Sequence, residues 1–102
     1  MNNTVTWMSY EFSVCTQDAN WRDLPGVYIF CGINHQQRWI AHYVGQTDSF
    51  AERLPNHERW LEARQLGATH VHARVVSPMA TRDQVERELI RGYQPRLNSQ
   101  LR

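Results

Sequence analysis

Two short apolar runs separated by a polar stretch constrain the fold of this chain most. Residues 26–31 read GVYIFC after a proline, residues 38–45 read RWIAHYVG, and the residues between them are mostly polar. Runs of this length on either side of a turn-like segment predict an antiparallel hairpin. With a turn centred on residues 34–37, Tyr28 and Tyr43 would stand opposite each other on one face of the sheet.

Two further segments, residues 6–15 and 70–76, alternate apolar and polar residues as half-buried strands do. The apolar face of the first carries Met8, Tyr10, Phe12 and Val14. A helix is expected from Asp48 or Ser49 to residue 66, with Gly67 as its C-terminal stop. Pro55 should kink this helix or divide it into two. Together, strands, hairpin and helices predict a small α+β sandwich.

The composition of the 102 residues limits the classes of protein that fit. The length suits one domain, and no stretch approaches the roughly 20 apolar residues that cross a bilayer. The first residues lack the features of a signal peptide, so a cytoplasmic location is expected. Cys15 and Cys31 form no CxxC pair and are expected to be reduced thiols.

All 11 residues counted as lysine or arginine are arginine, and the formal net charge is +1. Without lysine, Schiff-base and P-loop chemistry are excluded. Arginine suits bidentate contacts with phosphate, although a coding bias alone would also explain its use.

The last helix, capped by Thr81 and ended before Pro95, carries a carboxylate on its apolar side. At about 100° per residue, Glu86 falls within the arc of Val85, Leu89 and Ile90, whereas Glu88 falls on the opposite face. A carboxylate facing the core needs a partner. An arginine, a divalent metal or a catalytic role would each supply one.

A basic stripe borders the apolar face of the first helix. If Pro55 leaves the helical phase intact, Arg53, His57 and Arg64 share this stripe. Tyrosines, an arginine and a metal-binding carboxylate make a set that could cleave phosphodiesters, because they supply proton transfer, charge neutralisation and Mg²⁺ binding.

The sequence resembles the GIY-YIG nuclease family at six spaced positions between residues 25 and 98. The matches are Gly26-Val27-Tyr28, Tyr43-Val44-Gly45, Arg53, His57, Glu86 and the closing Pro95 with Asn98. The resemblance implies a three-stranded antiparallel sheet flanked by helices, formed by residues 25–102. Residues 1–24 then form an N-terminal extension that could add an edge strand.

The resemblance also implies hydrolysis of DNA by an endonuclease that depends on Mg²⁺ or Mn²⁺. Tyr28 or Tyr43 would activate water, and Arg53 would hold the scissile phosphate with help from His57. Glu86 would bind the single metal, and Asn98 would close the site by hydrogen bonding. The arginines expected to contact DNA are Arg38, Arg53, Arg64, Arg74 and Arg96.

Three features depart from the family pattern. The gap between the tyrosines is long, Pro55 stands between Arg53 and His57, and Gln46 with Thr47 replaces a lysine found in some members. A catalytically inactive nucleic-acid-binding module on the same fold remains an alternative. A third alternative is a zinc protein that uses His70 and His72, which share a strand face. Whether the chain acts as a homodimer or with a partner protein is left open.

Overall fold

The sheet of the computed structural model, which describes residues 3–99, is antiparallel throughout, with strand order β1-β2-β5-β3-β4. Its strands are β1 (Thr4–Trp7), β2 (Tyr10–Cys15), β3 (Gly26–Ile33), β4 (Trp39–Thr47) and β5 (His70–Val75). The α+β class is confirmed. The predicted count of three strands is wrong, because β2 and β1 extend the β5-β3-β4 unit to five.

The N-terminal alternation forms a hairpin and not one strand. Trp7 pairs with Tyr10, so the chain reverses through Met8 and Ser9. Met8 has a φ of 59°, a left-handed conformation in which glycine or asparagine is usual. Because neither residue type stands at the turn, the sequence carries no signal for this hairpin.

The register of the central hairpin is set by a bulge. Tyr28 pairs with Gly45 and Tyr43 pairs with Phe30, so the predicted direct pairing of the two tyrosines is wrong. The pairing shifts by one residue between Phe30 and Cys31, which leaves His42 as the extra residue on β4. A shift of one residue exchanges the faces of a strand. The bulge therefore keeps Tyr28 and Tyr43 on one face, as predicted.

The four helices are α1 (Phe50–Arg53), α2 (Trp60–Gln65), α3 (Met79–Tyr93) and α4 (Arg96–Ser99). Ser49 caps α1 by accepting a hydrogen bond from the Glu52 backbone N–H, and the helix ends just before Pro55. Of the two outcomes predicted at Pro55, a kink or a division into two helices, the structure has the division. Because α1 and α2 are separate helices, Arg64 on α2 does not share one helical face with Arg53, and the prediction that Arg64 belongs to the basic stripe is wrong. The helix α3 begins at Met79, two residues before the predicted cap.

Helices cover both faces of the sheet. On one face, α3 contributes Val85 and Leu89 to a core with Val27, Ile29 and Val44. On the other, Phe50, Leu54, Ala63 and Leu97 pack against Tyr28 and Phe30. Cys15 and Cys31 are free thiols, as expected. No helix within residues 3–99 has the length and apolar character that a membrane span requires.

Candidate functional site

The two motif tyrosines lie on the face covered by α1, α2 and α4. Their ring centroids are 6.4 Å apart. Tyr28 is buried, whereas Tyr43 is partly exposed. A Cβ on Gly45 would lie 2.5 Å from the Tyr28 hydroxyl oxygen, so only glycine leaves room for this ring. The glycine of the second motif therefore serves the tyrosine of the first.

His57 holds the Tyr28 hydroxyl. Its Nε2 lies 2.8 Å from Tyr28 Oη, and its Nδ1 accepts a hydrogen bond of 3.0 Å from the Arg59 backbone N–H. A nitrogen that accepts an N–H carries no proton, so neutral His57 is protonated on Nε2 and donates to Tyr28. Burial, with Arg53 nearby, lowers the pKa of His57 to about 4 and favours this neutral form.

Arg53 lies beside the tyrosines, and its guanidinium is hydrogen-bonded to the carboxylate of Glu58. Its Nη1 and Nη2 donate to the two oxygens of Glu58 at 2.6 and 2.8 Å. The pair holds the pKa of Glu58 down at about 2. Burial raises the pKa of Tyr28 and of Tyr43, and the positive charge of Arg53 lowers both. Arg53 is thus placed to favour a phenolate at either tyrosine.

Glu86 lies on α3 and is partly buried, as its position on the apolar side of the helix predicted. No arginine within residues 3–99 forms an ion pair with it, which removes the salt-bridge explanation. Gln46 Nε2 lies 3.4 Å from Glu86 Oε1 and also donates to Asp83. Burial raises the pKa of Glu86. The negative charge of Glu86 raises the pKa of both Tyr28 and Tyr43, so the carboxylate acts on the same site.

Arg82 fixes the orientation of Gln46. Its side chain is 4% exposed, and its Nε donates to Gln46 Oε1 at 3.1 Å while Nη2 donates to Asp48 at 2.6 Å. Because Arg82 only donates and carboxylates only accept, the Gln46 amide must point its NH₂ toward Asp83 and Glu86. Sequence reasoning missed Arg82 and Asp83, for which the only signal is their position on α3 near Glu86.

Asn98 connects α4 to the edge of the sheet. Its Oδ1 accepts from the Val44 backbone N–H at 2.8 Å, and its Nδ2 donates to the Val44 carbonyl at 2.9 Å. These two bonds occupy the free edge of β4 between Tyr43 and Gly45. Asn98 thereby holds the second motif in position.

The donor set fits a divalent cation that keeps most of its ligands as water or substrate oxygens. Within residues 3–99, no group of three or more His, Cys, Asp or Glu side chains could hold a metal. Glu86 and Asp83 instead offer carboxylates one helical turn apart. Mg²⁺ is commonly bound through one or two carboxylates, together with water and phosphate. Glu86 is the residue best placed to hold such an ion near the tyrosines.

The structure does not support a zinc site at His70 and His72. His72 is fully buried, and its Nδ1 accepts a hydrogen bond of 2.9 Å from Trp7 Nε1. His70 Nδ1 is hydrogen-bonded to the Thr69 hydroxyl at 2.7 Å. These contacts use one nitrogen of each ring, and the part of the chain that the structure describes supplies no third ligand.

The arginines expected to contact DNA are dispersed. Arg38 follows the β3–β4 turn, Arg64 lies on α2 and Arg96 on α4, all exposed. Arg74 lies on β5, where it donates to the Glu11 carbonyl on β2 at 3.1 Å, at a distance of two strands from the β4 edge. Of the predicted five, Arg53 is the one that the structure brings to the tyrosines.

Three crystal structures of the GIY-YIG N-terminal endonuclease domain of UvrC from Thermotoga maritima resemble the chain. One, an asparagine-to-alanine mutant bound to its catalytic divalent cation, is 25% identical with a TM-score of 0.60 and covers 74% of this chain and 83% of that one. Two tyrosine-to-phenylalanine mutants, also bound to the catalytic divalent cation, are 26% and 25% identical, with TM-scores of 0.58 and the same coverage. No protein-family model and no curated protein matches the sequence.

The comparison agrees with the spaced motifs and with the architecture around them. The resemblance to GIY-YIG nucleases that those motifs indicated is therefore confirmed. The chain has the GIY-YIG fold, which it shares with metal-dependent endonuclease domains.

Proposed function

We propose that the chain is an endonuclease that hydrolyses DNA phosphodiester bonds with one Mg²⁺ or Mn²⁺ ion. The observation that carries the proposal is the meeting of Tyr28, Arg53 and His57 on one side of β4 with Glu86 acting on the same tyrosine. A hydroxyl, a guanidinium and a metal-binding carboxylate are the groups that phosphodiester hydrolysis requires.

Tyr28 is the residue we propose as general base. Its hydroxyl oxygen accepts a hydrogen bond from His57 Nε2–H, which stabilises a phenolate. Burial raises the pKa of Tyr28, and the positive charge of Arg53 opposes this shift. The phenolate takes a proton from water, and the water oxygen forms a bond to phosphorus as the bond to the leaving oxygen breaks. Tyr43 has no hydrogen bond to His57 and serves as a packing neighbour.

Arg53 and Glu86 act on the phosphate. Arg53 releases Glu58 and neutralises a non-bridging oxygen of the scissile phosphate. Glu86 would hold the divalent cation, and the bound ion would supply positive charge to neutralise the leaving oxygen. Asn98 keeps β4, and therefore Tyr43 and Gly45, at a fixed distance from Glu86.

Cleavage of supercoiled plasmid tests the proposal. The wild type should nick plasmid with Mg²⁺ or Mn²⁺ and not with EDTA. Glu86→Ala should lose this activity while its circular dichroism and melting temperature stay close to wild type. Glu52→Ala, at an exposed position on α1, is the matched control and should cut normally.

The tyrosine variants separate the proposed roles. Tyr28→Phe should lose about 10²–10⁴-fold in rate, the usual contribution of a general base, and Tyr43→Phe should lose far less. Equal cutting by Glu86→Ala and wild type would contradict the proposal. A wild type that binds DNA without cutting it under any metal condition would favour the inactive binding module.

A further inference from the structure

A cleft of about 620 Å³ continues the site along α3 toward its C-terminal end. Asp83, Glu86 and Asn98 line the part of the cleft that adjoins the site, and Arg87 and Arg91 line it further along. The metal-binding carboxylate and two guanidinium groups thus face one continuous space. Neither arginine is among those that the sequence singled out.

Arg87 and Arg91 are exposed, and they interact with Glu86 and Glu88 through their charge without forming an ion pair. Neither forms a hydrogen bond or an ion pair with any residue in the range 3–99. Four other arginines are bound elsewhere: Arg53 to Glu58, Arg59 to Glu62, Arg74 to the Glu11 backbone carbonyl and Arg82 to Asp48. An incoming anion would therefore meet Arg87 and Arg91 without first displacing a carboxylate.

The spacing of the two residues suits a polymer of phosphates. Residues four apart on a helix are neighbours on its surface, so both guanidinium groups project from one side of α3. Guanidinium binds phosphate bidentately, and such contacts supply most of the sequence-independent affinity for DNA. Arg87 directly follows Glu86, so a strand with its scissile phosphate at Glu86 would extend its flanking phosphates toward Arg91.

We infer that Arg87 and Arg91 form a binding site for the DNA backbone on one side of the scissile phosphate. The inference rests on the proposed function, because it takes DNA as the substrate. It adds a direction: the strand leaves Glu86 along α3, in the cleft between α3 and α4.

The test is the salt dependence of DNA binding, measured in EDTA so that no cleavage occurs. Fluorescence anisotropy of a labelled DNA duplex gives the binding constant at several NaCl concentrations. The double variant Arg87→Gln/Arg91→Gln should bind about tenfold more weakly or worse. Its plot of log K against log[NaCl] should be shallower by about 2, one for each lost phosphate contact.

The matched control is Arg22→Gln, compared with the single variants Arg87→Gln and Arg91→Gln, because it removes the same charge from one exposed arginine outside the cleft. It should keep nearly the wild-type slope. Wild-type affinity and slope in the double variant of α3 would overturn the inference, as would a loss in Arg22→Gln equal to that in each single variant of α3. If the double variant of α3 has the shallower slope but the wild type never cuts DNA, this binding site is supported and the nuclease proposal fails. If the wild type cuts DNA but the double variant keeps the wild-type slope, the nuclease proposal stands and this binding site is overturned.

Discussion

The residues around Tyr28 form one electrostatic unit, in which the protonation state of each group depends on its neighbours. Burial raises the pKa of the Tyr28 hydroxyl, and Arg53 opposes this shift. His57 remains neutral and presents its Nε2 proton to the same oxygen. Glu58 lies outside the unit and holds the guanidinium that is proposed to bind the scissile phosphate. The proposed phosphate site is therefore partly occupied by a carboxylate in the structure.

Removal of the Glu58 charge should open Arg53 to phosphate. Both terminal nitrogens of Arg53 are occupied by Glu58, so a phosphate must break this pair before it binds. The pair is exposed, and exposed pairs contribute about 0–1 kcal/mol, which limits the gain to roughly fivefold. Glu58→Gln should thus bind a labelled DNA duplex up to about fivefold more tightly in EDTA.

Glu52→Gln is the control for this prediction, because it removes the same charge from α1 and, within residues 3–99, forms no ion pair. It should change the affinity less than Glu58→Gln. Equal gains in the two variants would mean that net charge, and not release of Arg53, sets the affinity.

At the scale of elements, the site depends on how closely β3 and β4 approach. Gly45 stands directly opposite Tyr28, and the Tyr28 ring occupies the space that a side chain would fill. The bulge beyond Phe30 keeps both tyrosines on the same face. Asn98 then fixes β4 from its free edge. The hairpin thus holds the Tyr28 hydroxyl against β4 at Gly45, where the strand carries no side chain.

A methyl group at Gly45 should misplace Tyr28. Its carbon would lie 2.5 Å from Tyr28 Oη and 2.6 Å from Cζ, so the buried ring must move. Small displacements of a catalytic group cost on the order of 10²-fold in rate, and overpacking costs about 1–3 kcal/mol in the free energy of unfolding. Gly45→Ala should show both losses in plasmid cleavage and in urea unfolding.

Gly92→Ala is the matched variant, since its methyl meets only the flexible end of Met8, at 2.8 Å from Cε. It should cut plasmid at the wild-type rate. A Gly45→Ala protein with full activity would show that Tyr28 need not occupy its observed position.

The sequence predicted those elements whose signals are local. The hairpin, the break at Pro55 and the inward position of Glu86 follow from patterns within a few residues. The Met8–Ser9 turn and the bulge at His42 were missed, because neither carries a glycine or an asparagine to mark it. Arg82 and Asp83 were missed because the network that they form with Gln46 joins β4 to α3, a contact that spacing along the chain does not reveal.

At the scale of the whole molecule, two buried histidines make the fold sensitive to acid. His72 is fully buried and accepts from Trp7, and His57 lies under the tyrosines. Burial lowers the pKa of each to about 4. Trp7 and Trp39 pack against the His72 ring, and aromatic side chains of β3 and β4 pack against the His57 ring, so both rings are shielded from water.

The free energy of unfolding should fall as the pH drops from about 6.5 to about 4. In this window the unfolded chain binds protons at the two histidines and the folded chain does not. Each histidine contributes up to roughly 3 kcal/mol that is present above the window and lost on acidification through it. Urea unfolding at a series of pH values measures this loss.

Replacement of one buried histidine should flatten the pH dependence. His72→Gln keeps an acceptor for Trp7 and should show a smaller fall, whereas His35→Gln, at the exposed hairpin turn, should behave as wild type. An unfolding free energy that is the same at pH 7 and pH 5 would contradict the account of both rings.

The proposed function requires that one divalent cation binds at Glu86, where α3 meets the β4 edge. Electron paramagnetic resonance counts free Mn²⁺ and so measures binding without any cleavage. In the presence of a DNA duplex at low temperature, the wild type should bind one Mn²⁺ per chain beyond what DNA binds alone. Glu86→Ala should bind none of this additional ion, and Glu52→Ala should bind it normally. Undiminished binding of Mn²⁺ by Glu86→Ala would contradict the claim.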